Sequence, residues 1–288
     1  MKILIAGAGG QVGHELVKSA PREATILACS RAELDIRDER AVMTCIRRHA
    51  PDAVINAAAY TAVDRAETET ELARHVNAEG PRHLALAARE VGARLLHIST
   101  DFVFDGASSV PYQADAVTYP LNVYGVTKRA GEVSVAQALP ATSVILRTAW
   151  VYAADGHNFV RTMLRLMRSN GTVRVVADQT GAPTSARSLA ETLWKLVALP
   201  QVSGIYHWTD AGTATWYDFA VAIKEEGASL GLVSADVTVV PIATHEYATA
   251  ARRPSYSVLD TGPLVSLGIA PLHWRERLRS VLAEIRDA

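Results

Sequence analysis

The sequence has 288 residues, 49% of which are hydrophobic, and a formal net charge of −1. This length suits one large α/β domain, or one domain with a smaller lobe, and the apolar content can fill a sizeable core. Because the charge is near neutral and no long run has one sign, we expect neither nucleic acid nor an anionic membrane surface as a partner.

Two features bear on where the protein resides. The only cysteines, Cys29 and Cys45, lie in apolar stretches without metal-ligand spacing, a pattern typical of small core residues in a reducing compartment. The first apolar run, over residues 3–6, is far too short for a signal peptide or a membrane span. We therefore expect a soluble cytoplasmic protein.

The first half of the chain alternates short β-branched runs with segments of helical length. Gly92 provides a stop for the long third helix, and Gly80-Pro81 inside it is a point where that helix can bend. Apolar strands that alternate with helices predict a Rossmann-type, doubly wound parallel sheet with helices on both faces. The predicted strands cover 2–6, 25–29, 53–56, 95–99 and 143–147, and the predicted helices cover 11–19, 39–49 and 73–91.

After the fifth predicted strand the alternation weakens, and the loops lengthen and carry prolines such as Pro241. We interpret this region as a smaller C-terminal α/β lobe that binds the substrate. The dinucleotide-binding domain is then 1–152, with segments near 186–212 returning to it, and the lobe is 153–185 and 213–288. Within the second half, helices are predicted over 158–169, 188–198, 216–226 and 273–286, and strands over 173–177 and 204–208.

A glycine-rich stretch follows the first predicted strand and opens the first predicted helix. Gly7, Gly10 and Gly13 have the spacing G-x-x-G-x-x-G. That spacing suits a tight turn, close approach of the backbone to a pyrophosphate, and close packing of helix on strand. Gln11 and Val12 begin the helix, whose free N–H groups can bind the anion. These five residues are predicted to bind a dinucleotide.

In such folds the end of the second strand contacts the adenosine ribose. Here it is Ser30-Arg31, without an acidic residue, and Asp35-Ile36 follows. We expect Asp35 to bond the adenine edge while Ile36 packs on the face of the ring. Because no carboxylate repels a 2′-phosphate and a guanidinium suits one, we expect NADPH to be preferred, with NADH also used.

Small residues follow the third predicted strand. The run Ala57-Ala58-Ala59 lets a cofactor lie across the strand ends, where ligands bind in open α/β sheets. Ala58, Ala59 and the next residue, Tyr60, are therefore candidate cofactor contacts.

The most informative stretch contains Tyr124 and Lys128, which are four residues apart and share one helix face. A nearby ammonium is expected to stabilise a phenolate and lower the pKa of the tyrosine. The phenol can then give a proton to a carbonyl oxygen as a hydride reaches the carbon. Thr100, at the end of the fourth predicted strand, can hold the substrate oxygen beside Tyr124. These three residues are the predicted catalytic group.

With these motifs the chain resembles the extended short-chain dehydrogenase/reductases, and within them the reductases of dTDP-linked 4-keto-sugars. The resemblance implies reduction of the 4-keto group of dTDP-4-dehydro-L-rhamnose by NAD(P)H, giving dTDP-L-rhamnose. The segments that carry it run in family order and cover most of the chain: 10–13, 34–36, 56–64, 99–106, 122–128, 147–152, 178–184 and 251–254.

The same resemblance implies roles for individual residues. Tyr124 would donate the proton, Lys128 would hold the nicotinamide ribose, and Thr100 would tune the proton transfer. The neighbouring Arg252 and Arg253 could pair with the substrate pyrophosphate, since guanidinium groups favour phosphate oxygens. The residues expected to contact the sugar nucleotide are Thr100, Asp101, Trp150 and Arg253.

The resemblance also suggests a homodimer with Mg²⁺ at its interface, because some members of the family dimerise through a magnesium site of glutamates. Glu15, Glu191 and Glu284 are conceivable ligands here. Charges on the surface of helices are the simpler interpretation of these three residues, so no metal ligand is assigned.

Reduction of a different sugar nucleotide stays open on the sequence alone, and so do two functions of other kinds. A sugar-nucleotide epimerase shares the scaffold but regenerates its bound dinucleotide, so it consumes none. A non-catalytic subunit, similar to the regulatory subunit of methionine adenosyltransferase, would bind a partner enzyme instead. The intact set of Thr100, Tyr124 and Lys128 argues against that second alternative.

Overall fold

The computed structural model describes all 288 residues and is built around one six-stranded parallel sheet. The strand order is β10-β5-β4-β3-β1-β2, and every pairing in the sheet is parallel. The predicted doubly wound sheet is confirmed. Its strands are β1 (Lys2–Ala6), β2 (Thr25–Cys29), β3 (Ala53–Asn56), β4 (Arg94–Thr100), β5 (Ser143–Thr148) and β10 (Gly204–His207).

Helices cover both faces of this sheet, each face with its own buried apolar cluster. Leu16 and Leu189 belong to the cluster on one face, and Ile46 and Leu84 belong to the cluster on the other. The helices are α1 (Gln11–Lys18), α2 (Glu39–His49), α3 (Val63–Ala66), α4 (Thr70–Arg74), α5 (Gly80–Val91), α6 (Val123–Ala138), α7 (Phe159–Ser169), α8 (Ala186–Val197), α9 (Trp216–Ser229), α10 (Gly262–Ser266) and α11 (Trp274–Asp287).

The long helix predicted over 73–91 is observed as two α-helices joined by a π-helical turn, His75–Glu79. The irregular turn therefore lies just before Gly80. Pro81 stands in the first turn of α5, where its missing N–H is tolerated. Gly92 ends α5 in the left-handed conformation (φ +74°), as expected of a C-terminal stop.

The second half builds a third buried cluster from α7, α9, α11 and the short strands around them. The strand β12 (Thr238–Ile242) was not predicted from the sequence, because Pro241 was assigned to a loop. β12 pairs only with β7, so one of its edges is free and a residue without an N–H can be accommodated. The remaining strands are β6 (Val151–Tyr152), β7 (Thr172–Val176), β8 (Thr180–Gly181), β9 (Thr184–Ser185), β11 (Ala214–Thr215) and β12 (Thr238–Ile242).

The predicted division into two lobes meets one complication. β10 pairs with β5 at the edge of the six-stranded sheet, and α8 packs against α1. Both elements belong to the segment near 186–212 that was expected to return to the dinucleotide-binding domain. However, Leu264 and Ile269, from the segment assigned to the substrate lobe, pack into the sheet cluster beside α8. The lobe boundaries therefore stay a prediction. No helix combines the length and apolar character that crossing a lipid bilayer requires.

Candidate active site

The glycine-rich loop between β1 and α1 is packed so closely that side chains would not fit. A Cβ on Gly13 would lie 2.2 Å from the carbonyl oxygen of Gly7, and a Cβ on Gly7 (φ +82°) would lie 2.5 Å from the amide nitrogen of Ala58. Gly13 thus serves helix–strand packing, as expected of the third glycine. Gly10 caps the N-terminus of α1 with extended backbone and without a side chain.

A cleft of about 470 Å³ opens beside this loop at the carboxyl edge of the sheet. Backbone atoms of Gly7, Gly9 and Gly10 line it without side chains, which fits the close approach of a dinucleotide pyrophosphate. The predicted cofactor residues that the structure brings together here are Gly7, Gly10, Arg31, Asp35, Ile36, Ala58, Ala59 and Tyr60.

Six predicted cofactor residues do not line this cleft: Gln11, Val12, Gly13, Ser30, and Tyr124 and Lys128 on α6. Gln11 accepts a hydrogen bond from Asn158 (2.8 Å), which ties the glycine loop to the start of α7. Val12 packs against the apolar cluster of the sheet, and Gly13 lies under the loop. Ser30 lies at the edge of an adjoining depression instead.

Asp35 is committed to an intramolecular ion pair. Its two carboxylate oxygens share the single Nε–H of Arg37, each at 2.9 Å, and the hydrogen bonding by Arg37 holds the pKa of Asp35 below its ordinary value. Arg31 lies 3.9 Å away on the same carboxylate. The predicted bond from Asp35 to an adenine edge would therefore compete with Arg37. Ile36 is almost fully buried, with its side chain against Gly80.

The sequence reasoning missed an acidic residue at the end of β2. Glu33 folds back, and its carboxylate accepts the backbone N–H of Ser30 at 2.7 Å. That hydrogen bond lowers the pKa of Glu33, so the group is anionic at neutral pH. The end of β2, which the sequence indicated to lack an acidic residue, therefore has a carboxylate beside it. The acidic residue is three positions further along the chain, and a turn brings it back.

Tyr124 and Lys128 lie on α6, whose first turn is capped by the side chain of Asn122. Burial raises the pKa of Tyr124 to about 12, although a hydrogen bond with Thr100 lowers it. The Lys128 Nζ atom donates to the carbonyl oxygen of Ile98 at 2.7 Å, and burial lowers the pKa of Lys128 to about 8. The expected lowering of the tyrosine pKa is therefore wrong for this structure, because desolvation outweighs any effect of the cation.

Thr100 and Asp101 stand where β4 ends, beside Tyr124. The Thr100 hydroxyl donates to the Asp101 carboxylate at 3.0 Å, and Thr100 also acts to lower the pKa of the Tyr124 phenol. Burial raises the pKa of Asp101 to about 6, although hydrogen bonds from Ser257 and Thr100 lower it. The Oδ2 atom of Asp101 is buried and has no hydrogen-bond partner in the protein, so it is available to a ligand donor. Ser257, which lies far away in sequence, was not predicted.

Trp150 is held in an unusual conformation at the start of the second half of the chain. Its φ of +48° lies in the left-handed region that bulky residues avoid. Its ring stacks on Trp216 with centroids 3.5 Å apart, and its other contacts include Gly181, where a Cβ would lie 2.6 Å from the indole. This packing outweighs the backbone strain. Trp216 was predicted only as the first residue of a helix, not as the support for Trp150.

We expect Trp150→Ala to raise the Michaelis constant for the sugar nucleotide roughly three- to tenfold, the size of one lost aromatic contact. The constant for the dinucleotide should change little. Trp216→Leu removes the stacking partner and should shift the same constant in the same direction. Initial-rate kinetics with both substrates varied would test this. Equal rises in both constants, together with a lower Tm, would identify Trp150 as a core residue only.

Arg253 is held by a carboxylate in this structure. Its guanidinium donates to both oxygens of Asp64, at 3.1 and 2.8 Å, and to the carbonyl oxygen of Ala251. The predicted pyrophosphate contact of Arg253 would therefore have to share the guanidinium with Asp64. The bond also joins the segment after β3 to the segment that carries Ser257.

The three glutamates considered for a metal site are engaged with basic residues. Glu191 pairs with Arg277 at 2.9 Å, and Glu284 bonds Lys18. Glu15 lies 4.0 Å from the same lysine. No group of three or more His, Cys, Asp or Glu side chains is arranged to hold a metal ion.

Together, the doubly wound sheet, the glycine cradle and the Thr100–Tyr124–Lys128 group define an extended short-chain dehydrogenase/reductase. The family model described as the RmlD substrate binding domain matches residues 1–287. The chain belongs to this family, that of the dTDP-4-dehydrorhamnose reductases.

Individual relatives agree with that assignment. A dTDP-4-dehydrorhamnose reductase from Streptomyces griseus is 46% identical over 96% of this chain and 91% of the relative. The crystal structure of a dTDP-4-dehydrorhamnose reductase from Clostridium acetobutylicum is 40% identical, with a TM-score of 0.94 over 99% of this chain and 100% of that one. A Bacillus anthracis dTDP-4-dehydrorhamnose reductase, solved in complex with NADP, is 36% identical, with a TM-score of 0.92 over 98% and 99% of the two chains.

Proposed function

We propose that this protein reduces the 4-keto group of dTDP-4-dehydro-L-rhamnose with NADPH, giving dTDP-L-rhamnose. The observation that carries the proposal is the Tyr124 phenol, whose raised pKa is partly lowered by the neighbouring Thr100, followed one helical turn later by buried Lys128. The group stands at the carboxyl edge of a sheet that also carries a dinucleotide-sized cleft. The similarity to dTDP-4-dehydrorhamnose reductases supports the choice of substrate.

The residues of the site divide the chemistry among them. When bound, the nicotinamide ring supplies a hydride to the carbonyl carbon. Tyr124 donates its phenolic proton to the carbonyl oxygen, and its raised pKa keeps that proton in place at neutral pH until the oxygen becomes basic. Lys128 then stabilises the phenolate and holds the ribose, and Thr100 orients the phenol. Asp101 offers its unpartnered carboxylate oxygen to a hydroxyl group of the sugar.

The direct test supplies the keto-sugar in situ from dTDP-glucose, with the upstream dehydratase and epimerase, and follows loss of NADPH absorbance. Stoichiometric loss of NADPH with formation of dTDP-L-rhamnose is the expected result. Sugar turnover without net loss of NADPH would indicate an epimerase, and absence of turnover with intact NADPH binding would indicate a non-catalytic role. Either outcome would contradict the proposal.

For the cofactor, we expect NADPH to be used about tenfold more efficiently than NADH. Arg31 offers an exposed guanidinium to a 2′-phosphate, while the anionic Glu33 beside Ser30 works against it. Arg31→Ala should remove most of the preference, and Glu33→Gln should increase it, because one substitution removes attraction and the other removes repulsion. The ratio of kcat/KM for the two cofactors measures both. A wild-type preference for NADH, or unchanged ratios in both variants, would refute the argument.

Three further expectations stay predictions. These are the homodimer, the Mg²⁺ at its interface and the cytoplasmic location. The reduction as proposed needs no metal, because Tyr124 supplies the acid and Lys128 supplies the positive charge. Light scattering with and without a chelator would test the first two together.

A further inference from the structure

The catalytic helix carries a third ionisable residue on the same face as the tyrosine and the lysine. Glu132 follows Lys128 by four residues on α6, as Lys128 follows Tyr124. Lys128 is 2% exposed and Glu132 is fully buried. The reduction described above uses Tyr124 and Lys128 but gives Glu132 no task. Burying a carboxylate away from solvent costs free energy unless the group is paired and hydrogen-bonded. Glu132 therefore needs partners that offset this cost.

Glu132 fastens α6 to the two strands beneath it. Its Oε1 atom accepts from the Ser99 hydroxyl (2.6 Å) and from Arg147 Nε (2.8 Å). Its Oε2 atom accepts from Arg147 Nη2 (2.8 Å) and Arg129 Nη1 (3.1 Å). Ser99 on β4 and Arg147 on β5 are register partners, and Ser99 precedes Thr100. The carboxylate therefore fixes α6 directly beside the strand end that carries Thr100.

Glu132 is also anionic. Burial, the largest single effect, raises its pKa, but the hydrogen bonds and charge of Arg147, together with Ser99 and Arg129, lower it by more, so the pKa lies below the ordinary value. Burial lowers the pKa of Lys128, and the negative charge of Glu132 offsets part of that effect by raising it. His97 on β4 is neutral, because burial and the Lys128 cation hold its pKa well below 6.5. Glu132 and His97 interact electrostatically with Lys128 itself. Arg147 and Arg129 surround Glu132, and Asp101 acts on Tyr124.

We propose that Glu132 is a positioning residue for Lys128: it holds α6 in register with β4 and keeps the lysine charged over the working pH range. The inference rests on the proposed reduction. There a cation must hold the cofactor ribose and stabilise the Tyr124 phenolate in a buried site. A neutral Lys128 could do neither, so deprotonation of Lys128 sets the alkaline limit of the enzyme.

The test is the pH dependence of two quantities in Glu132→Gln. One is kcat/KM for the keto-sugar, and the other is the NADPH dissociation constant measured by fluorescence. Loss of a nearby opposite charge lowers a lysine pKa by about one unit or more. The alkaline limbs of both profiles should therefore move to lower pH by about one unit. Glu132→Asp, which keeps the charge, should restore most of the wild-type profile even where its Tm is lower.

Two further variants separate charge from packing. Ser99→Ala removes one hydrogen bond to Glu132 but no charge, so the alkaline limb should stay in place. Arg129→Met removes a partly exposed cation that shares the carboxylate, so the limb should move to higher pH. If Glu132→Gln does not fold, this upward shift decides the matter, and its absence would overturn the proposal. Unmoved limbs in a folded Glu132→Gln, with equal losses of Tm in the Gln and Asp variants, would show a structural role only.

The outcome can be distinguished from failure of the proposed function. If the wild-type protein binds NADPH but does not reduce the keto-sugar, the assigned reaction is wrong. The NADPH binding profile still reports the charge of Lys128 in that case. A shifted binding profile in Glu132→Gln would then support the role of Glu132, and an unshifted one would refute it.

Discussion

Replacing Tyr124 with phenylalanine should lower kcat by about 10²–10⁴-fold, the usual contribution of a general acid. Only the hydroxyl is lost, and the ring keeps its edge-on contact with Phe102, with centroids 5.6 Å apart. The Tm and the NADPH dissociation constant should therefore stay close to the wild-type values. Stopped-flow or steady-state NADPH oxidation with the keto-sugar would measure the effect.

A matched control is available in Tyr152→Phe. Tyr152 is also buried with a raised pKa, and its hydroxyl donates to the carbonyl oxygen of Trp274 at 3.3 Å. It lies in the third apolar cluster, away from Thr100. Its loss should leave kcat nearly unchanged. If Tyr124→Phe also retained most of the wild-type kcat, Tyr124 could not be the proton donor.

The pH profile gives a second view of the same residue. Because the pKa of Tyr124 is raised to about 12, the phenol keeps its proton throughout the range in which the protein is assayed. Activity lost as pH rises past about 8 should therefore reflect deprotonation of Lys128, whose pKa is lowered to about 8. The alkaline limb should remain in whatever slow activity Tyr124→Phe retains.

The sheet could be predicted from the sequence because its information is local. The five strands of the first half are short apolar runs between turn residues, and the structure places them at or within one residue of the expected bounds. The glycine spacing and the Tyr124–Lys128 pair are likewise readable over a few residues. β12 was missed because its proline is tolerated only on a free strand edge, and the edge is a property of the tertiary structure.

The rest of the site depends on contacts between distant residues. Ser257 reaches Asp101 across more than 150 positions, and Trp216 supports Trp150 from the start of α9. The sequence also did not predict which charged residues form pairs. Asp64 pairs with Arg253 over 189 positions, which changed the interpretation of a predicted phosphate ligand. A charge pattern shows which side chains can pair, but only the fold decides which of them meet.

The buried ion pair beneath the catalytic helix leads to the largest expected effect on stability. Arg147→Met should lower the free energy of unfolding by about 3–5 kcal/mol, because it leaves the buried Glu132 without its main partner. Arg147 is 1% exposed, and its third nitrogen donates to the carbonyl oxygen of Ala114 at 3.1 Å. Its guanidinium also lies over the ring of Phe104, 5.1 Å from the centroid. Urea unfolding monitored by circular dichroism would give the difference.

The double variant Glu132→Gln/Arg147→Met separates the charge from the packing. It removes both members of the pair, so no unpaired charge stays buried, and it should recover at least half of the stability lost in Arg147→Met. Arg47→Met provides the surface control, since Arg47 and Glu90 form a comparable bidentate pair in the exposed region between α2 and α5. Solvent and salt screen that pair, so its loss should barely change the unfolding curve. If the double variant were as unstable as Arg147→Met, the loss would come from packing around Phe104 and not from an unpaired carboxylate.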